Sequence, residues 1–136
     1  MRRIGITGGI GSGKSVVSRL LRIMGYSVYD TDSEAKRLME SSLEVVQKLS
    51  ECFGRDIYHN GRLNRGLLSS RVFGKSDKIV LLNSIVHPVV RFDFYRWSES
   101  LNEEICFVES AILYESRFDE LVDEVWTVTA PEELRI

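Results

Sequence analysis

Eight consecutive residues near the amino terminus decide the fold of this chain: Gly8-Gly9-Ile10-Gly11-Ser12-Gly13-Lys14-Ser15. They fit the pattern G-x-x-x-x-G-K-[ST], in which a glycine-rich turn presents backbone N–H groups to phosphate oxygens. The glycines allow a tight turn and keep Cβ atoms away from the ligand. The lysine can reach the β- and γ-phosphates of a nucleotide, and the serine hydroxyl can ligate Mg²⁺. This stretch therefore predicts a site for nucleotide phosphates.

The flanking residues predict the strand–loop–helix context that such a motif, the P-loop, requires. A short apolar strand is expected at Arg3–Thr7, and the apolar residues from Val16 to Met24 recur at helical spacing until Gly25. The positive end of that helix would face the anion. The alternative is a glycine-rich turn that merely joins a strand to a helix. We predict that ATP phosphates contact the loop and the first turn of the helix: Gly8, Gly9, Gly11, Ser12, Gly13, Lys14, Ser15 and Val16.

Three further strands are predicted, at Ser27–Asp30, Ile105–Val108 and Val125–Thr129. The last two are continuous apolar runs, which suit strands buried on both faces of a parallel sheet. Mostly helical patterns fill the long interval between the second and third strands, which exceeds an ordinary crossover. We predict an α/β fold of the P-loop NTPase type, a three-layer parallel sheet with an inserted helical subdomain that binds substrate. The single domain would cover 1–136, with a nucleotide core at about 1–33 and 104–136 and the insert at about 34–103.

Local signals divide the insert into helices. Thr31 or Asp32 is expected to cap the first of them and Asn64 a later one. His59-Asn60-Gly61 indicates a turn. Pro88 is expected to begin a new helix, because proline suits a first turn and not a helix interior. Pro131 is likewise expected to begin a helix just before the sequence stops, so we expect the domain to be C-terminally incomplete.

Composition excludes several classes of protein. The net charge of −2 carries no nucleic-acid signature, and no apolar run approaches the roughly 20 residues that cross a bilayer. The amino terminus does not resemble a signal peptide, so we predict a cytoplasmic protein without nucleic-acid or membrane partners. The two cysteines, Cys52 and Cys106, are isolated in the sequence. We expect both to be reduced and neither to ligate a metal.

The chain resembles the dephospho-CoA kinase family in five separate segments that follow the order of the family. These segments are Ile6–Ser15; Tyr29–Asp32; Gly61–Arg65 with Leu68 and Phe73; Ile85–Pro88; and Ile112–Glu115. The resemblance implies transfer of the ATP γ-phosphoryl group to the ribose 3′-hydroxyl of dephospho-CoA, the last step of coenzyme A biosynthesis. It implies ATP and Mg²⁺ as cofactors and dephospho-CoA as the small-molecule partner.

The resemblance also suggests roles for individual residues. Asp32 occupies the position of the family's proposed catalytic base, beside Lys14 as the second catalytic residue, and Asp30 would help to shape the substrate site. A carboxylate at this position can accept the hydroxyl proton. From the spacing alone, Asp32 is equally well explained as a helix cap.

Arg65 and His87 match family positions that would contact dephospho-CoA, but an exposed helix-start arginine and a purely structural histidine are open alternatives. Glu109 ends the third strand, where P-loop enzymes often hold Mg²⁺ through water. It would share the metal with Ser15, and the alternative is a solvated acid at the end of the strand. Ala111 departs from a frequent family proline, and the family's arginine-rich lid would lie beyond Ile136.

Two other functions remain open from the sequence. The P-loop and the two aspartates also suit another small kinase of nucleosides or nucleotides. The second is a truncated module that binds nucleotide without catalysis.

Overall fold

The computed structural model describes residues 1–9 and 13–129 of the chain. Strands alternate with helices or turns near both ends of this described part, and helices dominate its middle. The elements in chain order are β1 (Arg2–Thr7), α1 (Lys14–Ile23), β2 (Val28–Asp30), α2 (Thr31–Ser41), α3 (Leu43–Phe53), β3 (Tyr58–His59), β4 (Arg62–Leu63), α4 (Arg65–Val72), α5 (Ser76–Ser100), β5 (Ile105–Glu109) and β6 (Glu124–Thr127). Short 3₁₀ turns cover Arg55–Ile57 and Phe118–Leu121.

The main sheet has four parallel strands in the described part of the chain, in the order β2-β5-β1-β6. All three pairings are parallel, so every carboxyl end lies at the same edge. The predicted α/β fold with a parallel sheet is confirmed. The predicted helix start at Pro131 lies outside the described residues.

The apolar runs of β1 and β5 form largely buried strands, as expected. The expected burial of the last run on both faces is wrong, because Trp126 and Thr127 of β6 are exposed. A core cluster joins Ile4 and Ile6 of β1 to Phe107 of β5 and Leu21 of α1. The buried positions of α1 occur at one face of the helix, and the chain turns after it through Gly25, whose φ is +98°. This packing holds α1 against β1 and β5.

Contacts divide the chain into two compact units, residues 1–32 with 91–136 and residues 33–90. The first unit holds the sheet and α1. The second holds the helices α3 and α4 and a short β3–β4 hairpin. The predicted insert at about 34–103 stays a prediction as a domain boundary, and α5 contributes residues to both units.

The helical unit confirms several local predictions. Asn64 Oδ1 accepts a hydrogen bond from Leu67 N–H at 3.0 Å, which caps α4. The predicted turn is a two-residue hairpin connection, with positive φ at both Asn60 (51°) and Gly61 (78°). Asn-Gly is the pair that tolerates this geometry best.

The predicted helix boundary at Pro88 is wrong. The helix α5 runs from Ser76 to Ser100 with Pro88 inside it. Proline removes one backbone hydrogen bond, but its ring is exposed, and the neighbouring Ile85, Val86 and Val90 are buried. Burial of this apolar face outweighs the local preference of one residue.

Candidate active site

Three strand ends meet at one edge of the sheet and carry the predicted site residues. In the register of the sheet, Glu109 of β5 lies opposite Ile6 of β1 on one side and Asp30 of β2 on the other. The loop after β1 contains the P-loop glycines. Ligands of open α/β sheets bind outside this edge, so the structure places the carboxylates and the P-loop where a ligand is expected.

In the described part of the P-loop, Gly13 directly precedes the first turn of α1. Gly13 has φ +92°, a conformation that favours glycine, and its carbonyl accepts the first helical hydrogen bonds from Val16 and Val17 at 3.0 and 3.1 Å. Ser15 and Val16 are exposed on the first turn. The free N–H groups of such a turn form an anion site. The predicted contacts Gly11 and Ser12 lie outside the described residues.

Lys14 forms an ion pair with Glu109. Lys14 Nζ lies 3.3 Å from Glu109 Oε1, and the two side chains are only 17% and 8% exposed. A carboxylate this buried needs a cation or hydrogen-bond donors beside it. The pair holds the lysine at the end of β5, next to the loop that would receive phosphate. Glu109 was predicted as a metal-supporting acid, and that role stays a prediction.

The start of α2 differs from the sequence prediction in its cap. Asp30 Oδ1 accepts a hydrogen bond from Asp32 N–H at 3.1 Å, so Asp30, and neither Thr31 nor Asp32, caps the helix. The reason is that α2 begins at Thr31, directly after the last residue of β2, so Asp30 is the residue that precedes the first turn. The exposed Asp32 carboxylate makes no ion pair or hydrogen bond with any residue that the structure describes. It therefore remains available to a ligand.

Thr31 makes a contact with β5 that the sequence analysis did not identify, since it considered this residue only as a helix cap. Its side chain is buried, and its hydroxyl donates to the backbone carbonyl of Glu109 at 2.8 Å. The sequence carried only a weak signal, a threonine directly after a strand. Its partner lies 78 positions away, which no local pattern could indicate.

Arg65 and His87 belong to the helical unit. Arg65 Nη1 lies 3.8 Å from Glu40 Oε1, and its Nη2 donates to the Lys36 carbonyl at 3.4 Å. The arginine stays about half exposed. His87 is half-buried within α5 and has an interaction partner of its own. Their contacts with substrate stay predictions.

Burial raises two pKa values away from the carboxyl edge. It raises the pKa of the Cys106 thiol, in the middle of β5, to about 11. Burial and the negative charge of Glu40 raise the pKa of Tyr58 to about 12, and the Tyr58 hydroxyl donates to the Met39 carbonyl at 2.6 Å. Both groups are therefore neutral at physiological pH and act as structural elements.

The donor set at the edge suits a phosphate-bound metal better than a protein-only cage. No group of three or more His, Cys, Asp or Glu side chains gathers within residues 1–9 and 13–129. Mg²⁺ commonly takes one or two protein ligands and completes its shell with phosphates and water. Ser15 is exposed on the first turn of α1, and its role as a metal ligand stays a prediction.

The comparisons with known proteins agree with this geometry. The family model described as dephospho-CoA kinase matches residues 2–136, which is almost the whole chain. The chain belongs to the dephospho-CoA kinase family. This finding confirms the resemblance, and the family is one of phosphoryl-transferring enzymes.

Individual relatives support the assignment to the dephospho-CoA kinase family. A dephospho-CoA kinase of Porphyromonas gingivalis is 48% identical over 99% of this chain and 67% of its own length. One from Corynebacterium diphtheriae is 41% identical over 100% of this chain and 70% of its own length. The chain spans about two thirds of the length of the curated relatives that it matches.

Solved structures give the same fold. The crystal structure of TT1252 from Thermus thermophilus has a TM-score of 0.79 and 36% identity, covering 98% of this chain and 68% of that one. A dephospho-CoA kinase from Campylobacter jejuni has a TM-score of 0.66 at 17% identity, covering 99% of this chain and 92% of that one, which is evidence for the fold alone. No helix among the described residues is long and apolar enough to cross a membrane.

Proposed function

We propose that this chain transfers the γ-phosphoryl group of ATP to the ribose 3′-hydroxyl of dephospho-CoA. The main support is a contact between the P-loop lysine and the carboxyl edge of the sheet. Lys14 Nζ lies 3.3 Å from Oε1 of Glu109, the last residue of β5. Asp30 lies directly opposite Glu109 in the sheet register. A phosphate-binding helix start, a lysine and carboxylates beside them are the parts that phosphoryl transfer requires.

The P-loop holds the triphosphate. The N–H groups at the start of α1, together with Gly8, Gly9, Gly11, Ser12 and Gly13 of the motif, surround the phosphates. Lys14, oriented by its partner carboxylate on Glu109, reaches the β- and γ-oxygens. These groups stabilise the negative charge that the transferring phosphoryl group carries in the transition state.

Mg²⁺ accompanies the nucleotide in this proposal. The Ser15 hydroxyl would be its protein ligand, and Glu109 would support it through water. The metal supplies positive charge to the β- and γ-phosphates when it is bound. The few protein donors at the edge fit a metal that is carried mainly by phosphate oxygens.

Asp32 acts on the acceptor. Its carboxylate is exposed at the first turn of α2, and Asp30 holds that turn through the Asp32 N–H. Asp32 accepts the proton of the 3′-hydroxyl and orients the oxygen for in-line attack. Asp30 shapes the same site, and Arg65 and His87 are proposed contacts for dephospho-CoA.

A panel of acceptors tests the choice of substrate. The chain is incubated with MgATP and, separately, dephospho-CoA, adenosine and AMP, while ADP release is measured. The full-length Porphyromonas gingivalis relative serves as the positive control for the assay. We expect ADP release above the no-acceptor rate with dephospho-CoA alone. Release with adenosine or AMP and none with dephospho-CoA would establish a different small kinase, and binding of ATP without release would establish a non-catalytic module.

A further inference from the structure

The backbone of Glu109 is held from both neighbouring strands. On the β1 side, Ser110 N–H donates to the Ile6 carbonyl at 3.0 Å. On the β2 side, the Thr31 hydroxyl donates to the Glu109 carbonyl at 2.8 Å. Both contacts are buried, since Ile6, Thr31 and Ser110 are each less than 9% exposed. The peptide that carries the partner of Lys14 is therefore fixed in place by two hydrogen bonds.

The Thr31 bond differs from the other because a side chain makes it. Thr31 is the first residue of α2, so its hydroxyl joins the first turn of that helix to the last residue of β5. The same first turn carries Asp32, whose exposed carboxylate has no partner in the described residues. The position of Asp32 thus depends on how the turn is anchored, and not on contacts of its own carboxylate.

We propose that Thr31 is a positioning residue, whose hydroxyl bond to the Glu109 carbonyl sets Asp32 of α2 and Lys14 of the P-loop in one fixed arrangement. The inference rests on the proposed function, because it assigns Thr31 a part in the same phosphoryl-transfer site. Thr31 touches neither nucleotide nor acceptor. It acts through Asp32 on one side and through Glu109 and Lys14 on the other.

A hydroxyl donor is required, and not merely a side chain of that volume. Valine has nearly the shape of threonine but would place a methyl group against the carbonyl and leave that buried oxygen without its donor. The first turn of α2 would then shift away from β5. A misplacement of about 1 Å at a catalytic group can reduce turnover by about a hundredfold.

The test compares Thr31→Val with Thr31→Ser, which keeps the hydroxyl, in the complete chain. Two quantities are measured for each variant: the Kd for MgATP by calorimetry, and kcat and KM with dephospho-CoA. We expect Thr31→Val to reduce kcat about tenfold or more and to weaken MgATP binding, with a smaller change in the KM for dephospho-CoA. Thr31→Ser should restore most of both quantities. Thr31→Ala, which removes the donor without the methyl contact, replaces Thr31→Val if that variant does not fold.

Ser98→Ala is the matched control. Ser98 is also buried, and its hydroxyl donates to a backbone carbonyl, that of Tyr95, at 2.7 Å. It also accepts from Arg3 Nε at 2.8 Å, which places it at the opposite end of β1 from the P-loop. We expect this variant to lower the melting temperature without a change in kcat or in the Kd for MgATP.

The outcomes separate this inference from the proposed function. If Thr31→Val and Thr31→Ala keep the wild-type kcat and Kd within about twofold, Thr31 is only a structural residue and the inference is overturned. The same conclusion follows if Ser98→Ala reduces these quantities as much as they do. If the unaltered chain binds MgATP but does not phosphorylate dephospho-CoA, the proposed function fails. The positioning role of Thr31 is then tested by the Kd for MgATP alone, which should be weaker in Thr31→Val and restored in Thr31→Ser.

Discussion

At the scale of single residues, the site depends on which carboxylates are engaged and which are free. Glu109 is buried against Lys14, Asp30 caps α2, and Asp32 is exposed without a partner among the described residues. Three acids at one edge therefore have three different environments. Only Asp32 combines exposure with freedom from other contacts, which is what a proton acceptor for a bound hydroxyl needs.

Asp32→Asn should reduce turnover by about a hundredfold or more, because the amide cannot accept the hydroxyl proton. The Kd for MgATP should stay near the wild-type value, since the phosphates are held by the P-loop. Initial rates and calorimetry measure the two quantities. Asp119→Asn, an exposed aspartate in the 3₁₀ turn after β5, is the control for loss of one negative charge. Wild-type turnover in Asp32→Asn would show that Asp32 is not the base.

The two cysteines should differ sharply in reactivity. Cys52 is exposed, whereas Cys106 is buried and burial raises its pKa from 9.0 to about 11. At pH 8 we expect a thiol reagent to modify one cysteine rapidly in the native protein and both in denaturant. Cys52→Ser should remove the rapid reaction. A second rapid thiol in the native chain would contradict the burial of Cys106.

The same pKa shift predicts how stability depends on pH. The thiol of the unfolded chain ionises above about pH 9, while the folded thiol stays protonated up to about pH 11. Folding therefore binds a proton in this window, and the free energy of unfolding falls as pH rises through it. Below pH 9 Cys106 contributes no slope. Cys106→Ala should make the decline between pH 9 and 10 less steep, as measured by urea titrations at each pH. A part of the decline should remain, because the Tyr58 phenol begins to ionise in the unfolded chain near pH 10, whereas its pKa in the folded chain is about 12.

At the scale of elements, the sequence predicts features that depend on neighbouring residues. It does not predict features that depend on contacts between residues far apart in the chain. The strand β1, the start of α1 and the cap of α4 follow from local patterns, and each is confirmed. The continuity of α5 through Pro88 was not predictable, because burial on both sides of the proline sustains the helix. The Thr31–Glu109 hydrogen bond was missed since its partners lie far apart in the chain.

Two helix caps in the same unit provide a graded test. Asn64 caps α4 with a 3.0 Å hydrogen bond, and Ser42 caps α3 with a longer one of 3.4 Å. Asn64→Ala should lower the free energy of unfolding by about 1 kcal/mol. Ser42→Ala should lower it by less, because its hydrogen bond is longer. Chemical denaturation measures both variants, and a larger loss in Ser42→Ala would contradict these cap assignments.

At the scale of the whole molecule, the sheet unit contains the residues proposed to bind phosphate, and the helical unit contains Arg65 and His87. The parallel sheet was predictable from the continuous apolar strands, and the edge position of Asp30 and Glu109 followed from it. The division of contacts near residue 90 was not predictable, because α5 passes through it without a break. The chain covers about two thirds of its curated relatives, so its own activity has to be measured directly.

The most direct measurement is mass spectrometry of the products formed from MgATP and dephospho-CoA, with the phosphorylated position assigned by fragmentation. Lys14→Ala is the paired variant, and its melting curve establishes that it is folded. The proposed function predicts a product phosphorylated on the ribose 3′-hydroxyl with the unaltered chain and none above background with Lys14→Ala. Equal product from both chains, or a phosphoryl group at another position, would contradict it.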